Sequence, residues 1–182
     1  MNDEAHMLWS IGHSTRTLEE FLGLLATYGI ETVADVRSFP GSRRYPHFGR
    51  AELAAALAGR ALEYQWLPAL GGRRRARPDS PNTGWRNASF RGYADYMASA
   101  EFACGLTQLM ALAARARTVV MCSEALWWRC HRSLIADALT LRHYEVMHIL
   151  DAKHAVPHPM SSPARIVRGE LTYAQPGPEP AA

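Results

Sequence analysis

A thiol, a carboxylate and a cationic run fall together in Cys122-Ser-Glu124-Ala-Leu-Trp-Trp-Arg129-Cys130-His131-Arg132. Cys122 ends an apolar run and precedes a helical pattern. A positive helix terminus there, with the Arg129 and Arg132 guanidiniums, lowers a thiol's pKa, so Cys122 is the candidate thiolate nucleophile. Arg129, His131 and Arg132 join it as ligand-binding groups. Without chemistry, the same arrangement binds an anion at a helix N-terminus. Cys130 shares helical spacing with Leu134, Ala138 and Leu141, which assigns it to the core. Cys122, Cys130 and His131 offer zinc-ligand types. The short Cys-Cys spacing of zinc sites is missing, so a bound metal is the less favoured reading and no cofactor is expected.

Two other apolar runs end on polar groups: Gly12-His13-Ser14 and Asp35-Val36-Arg37-Ser38. In a catalytic reading His13 is the general base, Glu124 its partner or a second acid-base group, and Asp35 a further catalytic candidate, while Ser14 and Arg37 bind ligand. Each has a plainer role: Ser14 or Thr17 caps a helix, Asp35 bonds loop amides, and His13 is a satisfied surface residue. Convergence at one sheet edge favours a site. The stretch from Arg37 to Phe48 interleaves arginines with Phe39, Tyr45 and Phe48, which suits a phosphate carrying a ring or base; Arg43 belongs to this set. Phe90-Arg91-Gly92-Tyr93 adds Arg91. The cluster Arg73-Arg74-Arg75-Ala76-Arg77 reads as a solvated loop with non-specific phosphate attraction, and Trp127 and Trp128 read as packing residues.

The elements that must position these groups are legible as five short apolar runs: Met7–Ile11, Thr32–Val36, Leu62–Leu67, Thr118–Cys122 and Tyr144–Leu150. Between them stand helical patterns: Leu18, Phe21, Leu22 and Leu25 behind a Thr17-to-Glu20 capping box and closed by Gly29, then Ala51–Ala58, Glu101–Ala116 and Trp128–Arg142. Alternating strands and helices predict an open, mainly parallel α/β sheet of about five strands with helices on both faces and ligands beyond the strands' carboxyl ends. Gly71–Arg91 reads as a long irregular loop rich in Arg, a lid or binding segment. Beyond it, Ala164–Val167 and Glu170–Tyr173 pair as a hairpin across Arg168-Gly169 in a C-terminal extension. The predicted organisation is one domain over residues 1–174, with a disordered tail over 175–182.

A chain of 182 residues holds one domain with one sizeable core. No apolar run is long enough to span a bilayer, and Met1-Asn2-Asp3-Glu4 lacks the features of a signal peptide, so neither membrane nor export is expected. Three cysteines, Cys104, Cys122 and Cys130, are too few and odd in number for a disulfide framework, which points to the cytoplasm. Net charge is +3, and Lys153 is the one lysine among 20 basic residues, a composition that high-GC coding also produces. No oligomeric state is implied.

Taken in order, Ile11-Gly12-His13-Ser14, Asp35-Val36-Arg37-Ser38-Phe39-Pro40, Leu70-Gly71-Gly72, Phe90-Arg91-Gly92-Tyr93 and Cys122-x-Glu124 with Cys130-His131-Arg132 resemble the prokaryotic family called domain of unknown function 488. The resemblance runs from Leu8 to Ile149 and implies a compact α/β domain without assigning a reaction. Many relatives carry a Lys and a Pro where this chain has Ala125 to Arg129. Three functions stand open. The first is a Cys-dependent enzyme acting on a phosphate-bearing ligand such as a nucleotide or nucleic acid. The second is a non-catalytic nucleic-acid or nucleotide binding module, and the third a metal-binding domain.

Overall fold

The computed structural model describes residues 6–175. Its strands are β1 (His6–Gly12), β2 (Thr32–Asp35), β3 (Glu63–Trp66), β4 (Thr118–Cys122), β5 (Tyr144–Ile149) and β6 (Ala155–Pro157), with β7 (Arg165–Val167) and β8 (Glu170–Thr172) forming a separate hairpin. The sheet runs β3-β2-β4-β1-β5-β6, the first five parallel and β6 antiparallel to β5. The expected α/β sheet is therefore present, with one strand more than the apolar runs disclose. β6 is three residues with no alternation to reveal it.

The helices are α1 (Leu18–Thr27), α2 (Arg50–Ala58), α3 (Ala88–Tyr96), α4 (Ala100–Arg115) and α5 (Arg132–Thr140). Thr17 caps α1 through the expected box, its hydroxyl accepting from the Glu20 amide while Glu20 accepts from the Thr17 amide at 2.7 Å. Gly29 follows at φ +62, the left-handed turn that ends the helix. Connections β1→β2→β3 run one way across the sheet and β3→β4→β5 run back. Right-handed crossovers then place α1 and α2 on one face and α3 to α5 on the other. The core divides accordingly. Trp9, Ile11, Val33, Val119 and Met121 meet α1 and α2; Leu8, Ala34, Val120 and Cys122 meet α4 and α5. Period-two alternation along each strand makes this split, and it turns Cys122 toward α5.

Strands β1 and β4 are neighbours whose chains leave toward opposite faces, the arrangement that opens a crevice at the carboxyl edge. Gly12 sits there against the Glu124 carbonyl, where any Cβ would overlap the backbone. The turns are stitched by His13 N–H to the Cys122 carbonyl at 2.9 Å and Ser14 N–H to that of Ser123 at 3.0 Å.

Two sequence expectations need correction. The helix predicted over Trp128–Arg142 is a 3-10 turn at Trp127–Arg129 followed by α5, because Cys130 is extended at φ −127 and ψ 148 and turns its sulfur inward. The irregular stretch ends at Asn87, whose side chain caps α3. No single helix among the described residues is long and apolar enough to cross a membrane. Of the tail expected to be disordered, Gln175 donates its N–H to Thr83 Oγ1 at 3.3 Å, and residues 176–182 lie outside the described residues.

A buried polar chain ties the C-terminal extension to the core. Asp137 on α5 accepts from Tyr173 Oη at 2.8 Å and pairs with His158 Nε2 at 2.9 Å, and His158 Nδ1 meets His148 Nε2 at 2.9 Å. Trp127 stacks on His148 with centroids 4.2 Å apart, which fixes the turn that delivers Cys130. Trp127 is thus a packing residue as expected, while Trp128 is half exposed.

Candidate functional site

A cavity of about 730 Å³ opens at the carboxyl edge and is lined from the turns after β1, β2 and β4 and from α3. His13, Ser14, Arg37, Cys122, Glu124, Arg129 and His131 all reach it, so residues far apart in sequence share one cleft. Asp35 and Arg132 lie behind the wall, and Arg43 and Arg91 are elsewhere.

Asp35 is fully buried at the end of β2 and saturated by donors. Arg37 Nη2 lies 2.6 Å from Oδ2, Arg37 Nε 2.9 Å from Oδ1, and Tyr64 Oη donates to Oδ2 at 2.7 Å. Such a carboxylate has no free lone pair facing substrate; its part is to hold Arg37. Burial and this hydrogen bond push the Tyr64 hydroxyl well above its usual range. Arg37 Nη1 donates to the Phe48 carbonyl at 2.8 Å and lies 3.4 Å from His13 Nε2.

His13 stacks on Phe48 with centroids 4.1 Å apart and is 3% exposed, which corrects its plainer reading as a surface residue. Its Nδ1 is 3.0 Å from the Ser14 carbonyl, an acceptor only, so Nδ1 carries the proton and Nε2 presents its lone pair to Arg37. Burial, only partly offset by the Ser14 carbonyl, lowers the ring from 6.5 to about 4. Its folded pKa lies below its unfolded one, so its contribution to stability is intact above about pH 6.5 and is lost as pH falls toward 4. We expect about 2–3 kcal/mol of acid destabilisation from this group between pH 7 and 4.5. Urea unfolding at the two pH values checks this, and His13→Gln should flatten the dependence. An unchanged slope in the variant removes His13 from the acid limb.

The two thiols reverse their expected order. Cys122 is buried, and the neighbouring Cys130 sulfur together with desolvation pushes its pKa well up. Cys130, equally buried, is lowered to about 6 by the Cys122 thiol and, against the effect of burial, by Arg132. Arg132 explains why the charge settles there. Its side chain is 2% exposed, and its donors go to Ser10 Oγ at 3.0 Å, to the Glu124 and Ala125 carbonyls and, from Nε, to Cys130 Sγ at 3.4 Å. No carboxylate pairs with it among the described residues, so the Cys130 sulfur is the group placed to balance a buried guanidinium. Arg132 therefore serves the sulfur and is not a surface for ligand.

His131 Nε2 faces the Val36 carbonyl at 3.1 Å and must be protonated there, leaving Nδ1 as a lone pair 3.7 Å from Cys130 Sγ. The Cys122, Cys130 and His131 donor atoms lie within 4.8 Å of one another, and this is the place where a metal could be held. His131 has the backbone partner expected of a metal-bound imidazole. The Arg132 guanidinium against Cys130 opposes a dication at the same sulfur, so the fit is poor.

Glu124 is exposed at the rim, accepting from the Leu126 amide at 3.3 Å, and Ser14 holds a left-handed φ of 50. Arg129 is exposed on the same rim. Arg43 is exposed but lies off the cavity, where Arg44 stands instead, its guanidinium 5.5 Å from the Tyr45 ring. Arg91 is turned back on the Trp85 carbonyl at 2.8 Å, while its neighbours Phe90 and Tyr93 line the cavity. Arg73, assigned by sequence to a solvated loop, reaches the cavity from a backbone at φ 62, near Phe39, which is 72% exposed. The interleaved arginines and aromatics had marked the Arg44 region; no signal singled out Arg73 within its arginine cluster or placed Cys130 against Arg132.

No curated protein and no solved structure matches the chain. A family model described as Domain of unknown function DUF488 matches residues 17–139, a span that holds both cysteines and most of the cavity wall and begins just after His13. The chain belongs to the DUF488 family.

Proposed function

We propose that the protein is a Cys-dependent enzyme acting on an anionic, phosphate-bearing ligand such as a nucleotide or a nucleic-acid strand, with Cys130 as the attacking sulfur. The observation that carries this reading is the Cys130 sulfur held on the buried Arg132 at the floor of a cavity lined by Arg37, Arg44, Arg73 and Arg129. Arg132 sustains the nucleophile, and the lining arginines receive the anion. Phe39 and Tyr45 offer faces to an attached ring. His131 Nδ1 is placed to exchange a proton with the sulfurs, and Glu124 at the rim to serve the leaving group. His13, neutral and held by Arg37, shapes the anion site.

Brief iodoacetamide treatment of the folded protein at pH 7, followed by peptide mass analysis, tests the reading. Within the buried pair, labelling is expected at Cys130 ahead of Cys122, and inorganic phosphate or a nucleotide should slow it. Exposed Cys104 on α4 reports ordinary reactivity. Labelling of Cys122 first, or of Cys104 alone, defeats the assignment.

A further inference from the structure

We propose that Cys122 and Cys130 form a reversible two-electron couple, a modification site oxidised by a small hydroperoxide to a disulfide that withdraws the nucleophile. This rests on the reading of Cys130 as the site's reactive sulfur. Both cysteines are free and buried, yet both line the cavity, where a molecule the size of hydrogen peroxide has access. Their sulfurs lie within 4.8 Å of each other.

The chain between them is built to return one sulfur to the other. Arg132 holds the Glu124 and Ala125 carbonyls, the Arg129 amide bonds the Leu126 carbonyl at 3.0 Å, and the Cys130 amide bonds that of Trp127 at 3.1 Å. Trp127, stacked on His148, anchors the middle of the turn. Two cysteines brought together on separate elements and left unbonded are poorly explained by packing alone, since one small apolar residue on each side fills such space without a reactive group.

The chemistry closes with hydroperoxide as the sole oxidant. The Cys130 thiolate attacks the terminal oxygen, the O–O bond breaks, and hydroxide or alkoxide leaves and takes up a proton, giving a sulfenic acid at Cys130. Cys122 gives its proton to His131 Nδ1 as its sulfur attacks Cys130. The S–O bond breaks and water departs with that proton. Two thiols are oxidised, and one peroxide is reduced to water and an alcohol, or to two waters. A low-molecular-weight thiol reverses the bond by exchange. Arg132 biases that reversal: oxidation removes the one anion beside it, so the reduced pair is the favoured state and the disulfide is readily opened, as where a stabilised thiolate makes a couple strongly oxidising.

The test uses the full chain, stoichiometric hydrogen peroxide, alkylation of the remaining thiols, and mass analysis of the intact protein and its peptides. Wild type should lose two hydrogens, with the bond mapped to Cys122–Cys130, and dithiothreitol should restore both thiols. Cys122→Ser should halt at a dimedone-trappable sulfenic acid on Cys130 and then pass to irreversible oxides. If both buried thiols stay alkylatable while Cys104 oxidises, the couple is overturned. It is also overturned if the purified protein carries one zinc ion per chain and forms the bond only after chelation. Rapid labelling of Cys130 without any disulfide sinks the couple alone and leaves the enzyme reading standing. The wild-type measurement needs no variant, so a folding defect in Cys122→Ser does not obscure it.

Discussion

Arg132→Met is expected to slow alkylation of Cys130 at pH 7 by roughly tenfold or more, with the midpoint of the rate against pH moving upward. In the native protein the Cys122 thiol and Arg132 together hold Cys130 at about 6, against a burial effect that alone raises it. Held below its ordinary range, the sulfur has a larger thiolate fraction at neutral pH than a free cysteine. Methionine keeps much of the bulk but supplies no charge and no donor. Burial then dominates, and each unit of pKa gained above pH 7 lowers the reactive fraction about tenfold. The pH profile is the decisive readout, since a loosened fold exposes the sulfur and speeds labelling. Ser10 Oγ and the Glu124 and Ala125 carbonyls also lose their donor. A stability loss of about 1–3 kcal/mol should accompany the change. Arg129→Ala, an exposed change at the same rim, should alter the rate by no more than roughly twofold, because solvent screens it. Equal effects of the two variants would mean that Arg132 acts only by filling space.

The fold was largely legible because burial writes itself into the chain as period. The run Thr118–Cys122 is the strand β4 as observed, and the Thr17-to-Glu20 box is the start of α1. Short length and low apolar content explain the misses. β6 is three residues long and offers no alternation, and α3 is nine residues with Gly92 inside it and little apolar content, so its amphipathic face is easily taken for loop. Gly92 is required by packing: the Arg74–Arg75 backbone passes where its Cβ would stand.

The site was legible only in outline. Polar groups at the ends of β1, β2 and β4 had to share an edge once the strands were parallel, and that brought His13, Arg37 and Cys122 together. Which thiol bears the charge depends on where Arg132 points, and that is settled by Ser10 on β1, far away in sequence, and by two carbonyls of the preceding turn whose direction only the folded backbone fixes. Sequence distance made Arg129 look equivalent to Arg132; one is exposed and the other is among the most deeply buried side chains in the protein. Arg91 fails for a related reason: its neighbours face the cavity, and the turn of α3 points it at Trp85.

Asp35→Asn is expected to cost about 3–5 kcal/mol of stability, the largest loss anticipated for a nearly isosteric change at this site. The carboxylate and the Arg37 guanidinium are 0% and 6% exposed, so the pair has little water to replace a missing partner. Asparagine keeps the shape and one acceptor oxygen but leaves Arg37 as a buried cation held by the Phe48 carbonyl and the His13 lone pair. It also takes a charged acceptor from Tyr64 Oη. Removing the cation as well relieves the defect: Asp35→Asn with Arg37→Met should cost clearly less than the sum of the single changes, since the double variant buries no uncompensated charge. Urea unfolding of the four proteins closes the cycle. Additive losses would mean that the two groups do not act as a buried pair. The coupling bears on function through geometry. Asp35 fixes the Arg37 fork edge-on, and Arg37 in turn meets His13 at the cavity wall. A substitution outside the cavity should therefore weaken protection of Cys130 by phosphate, while Cys130 keeps its own reactivity through Arg132.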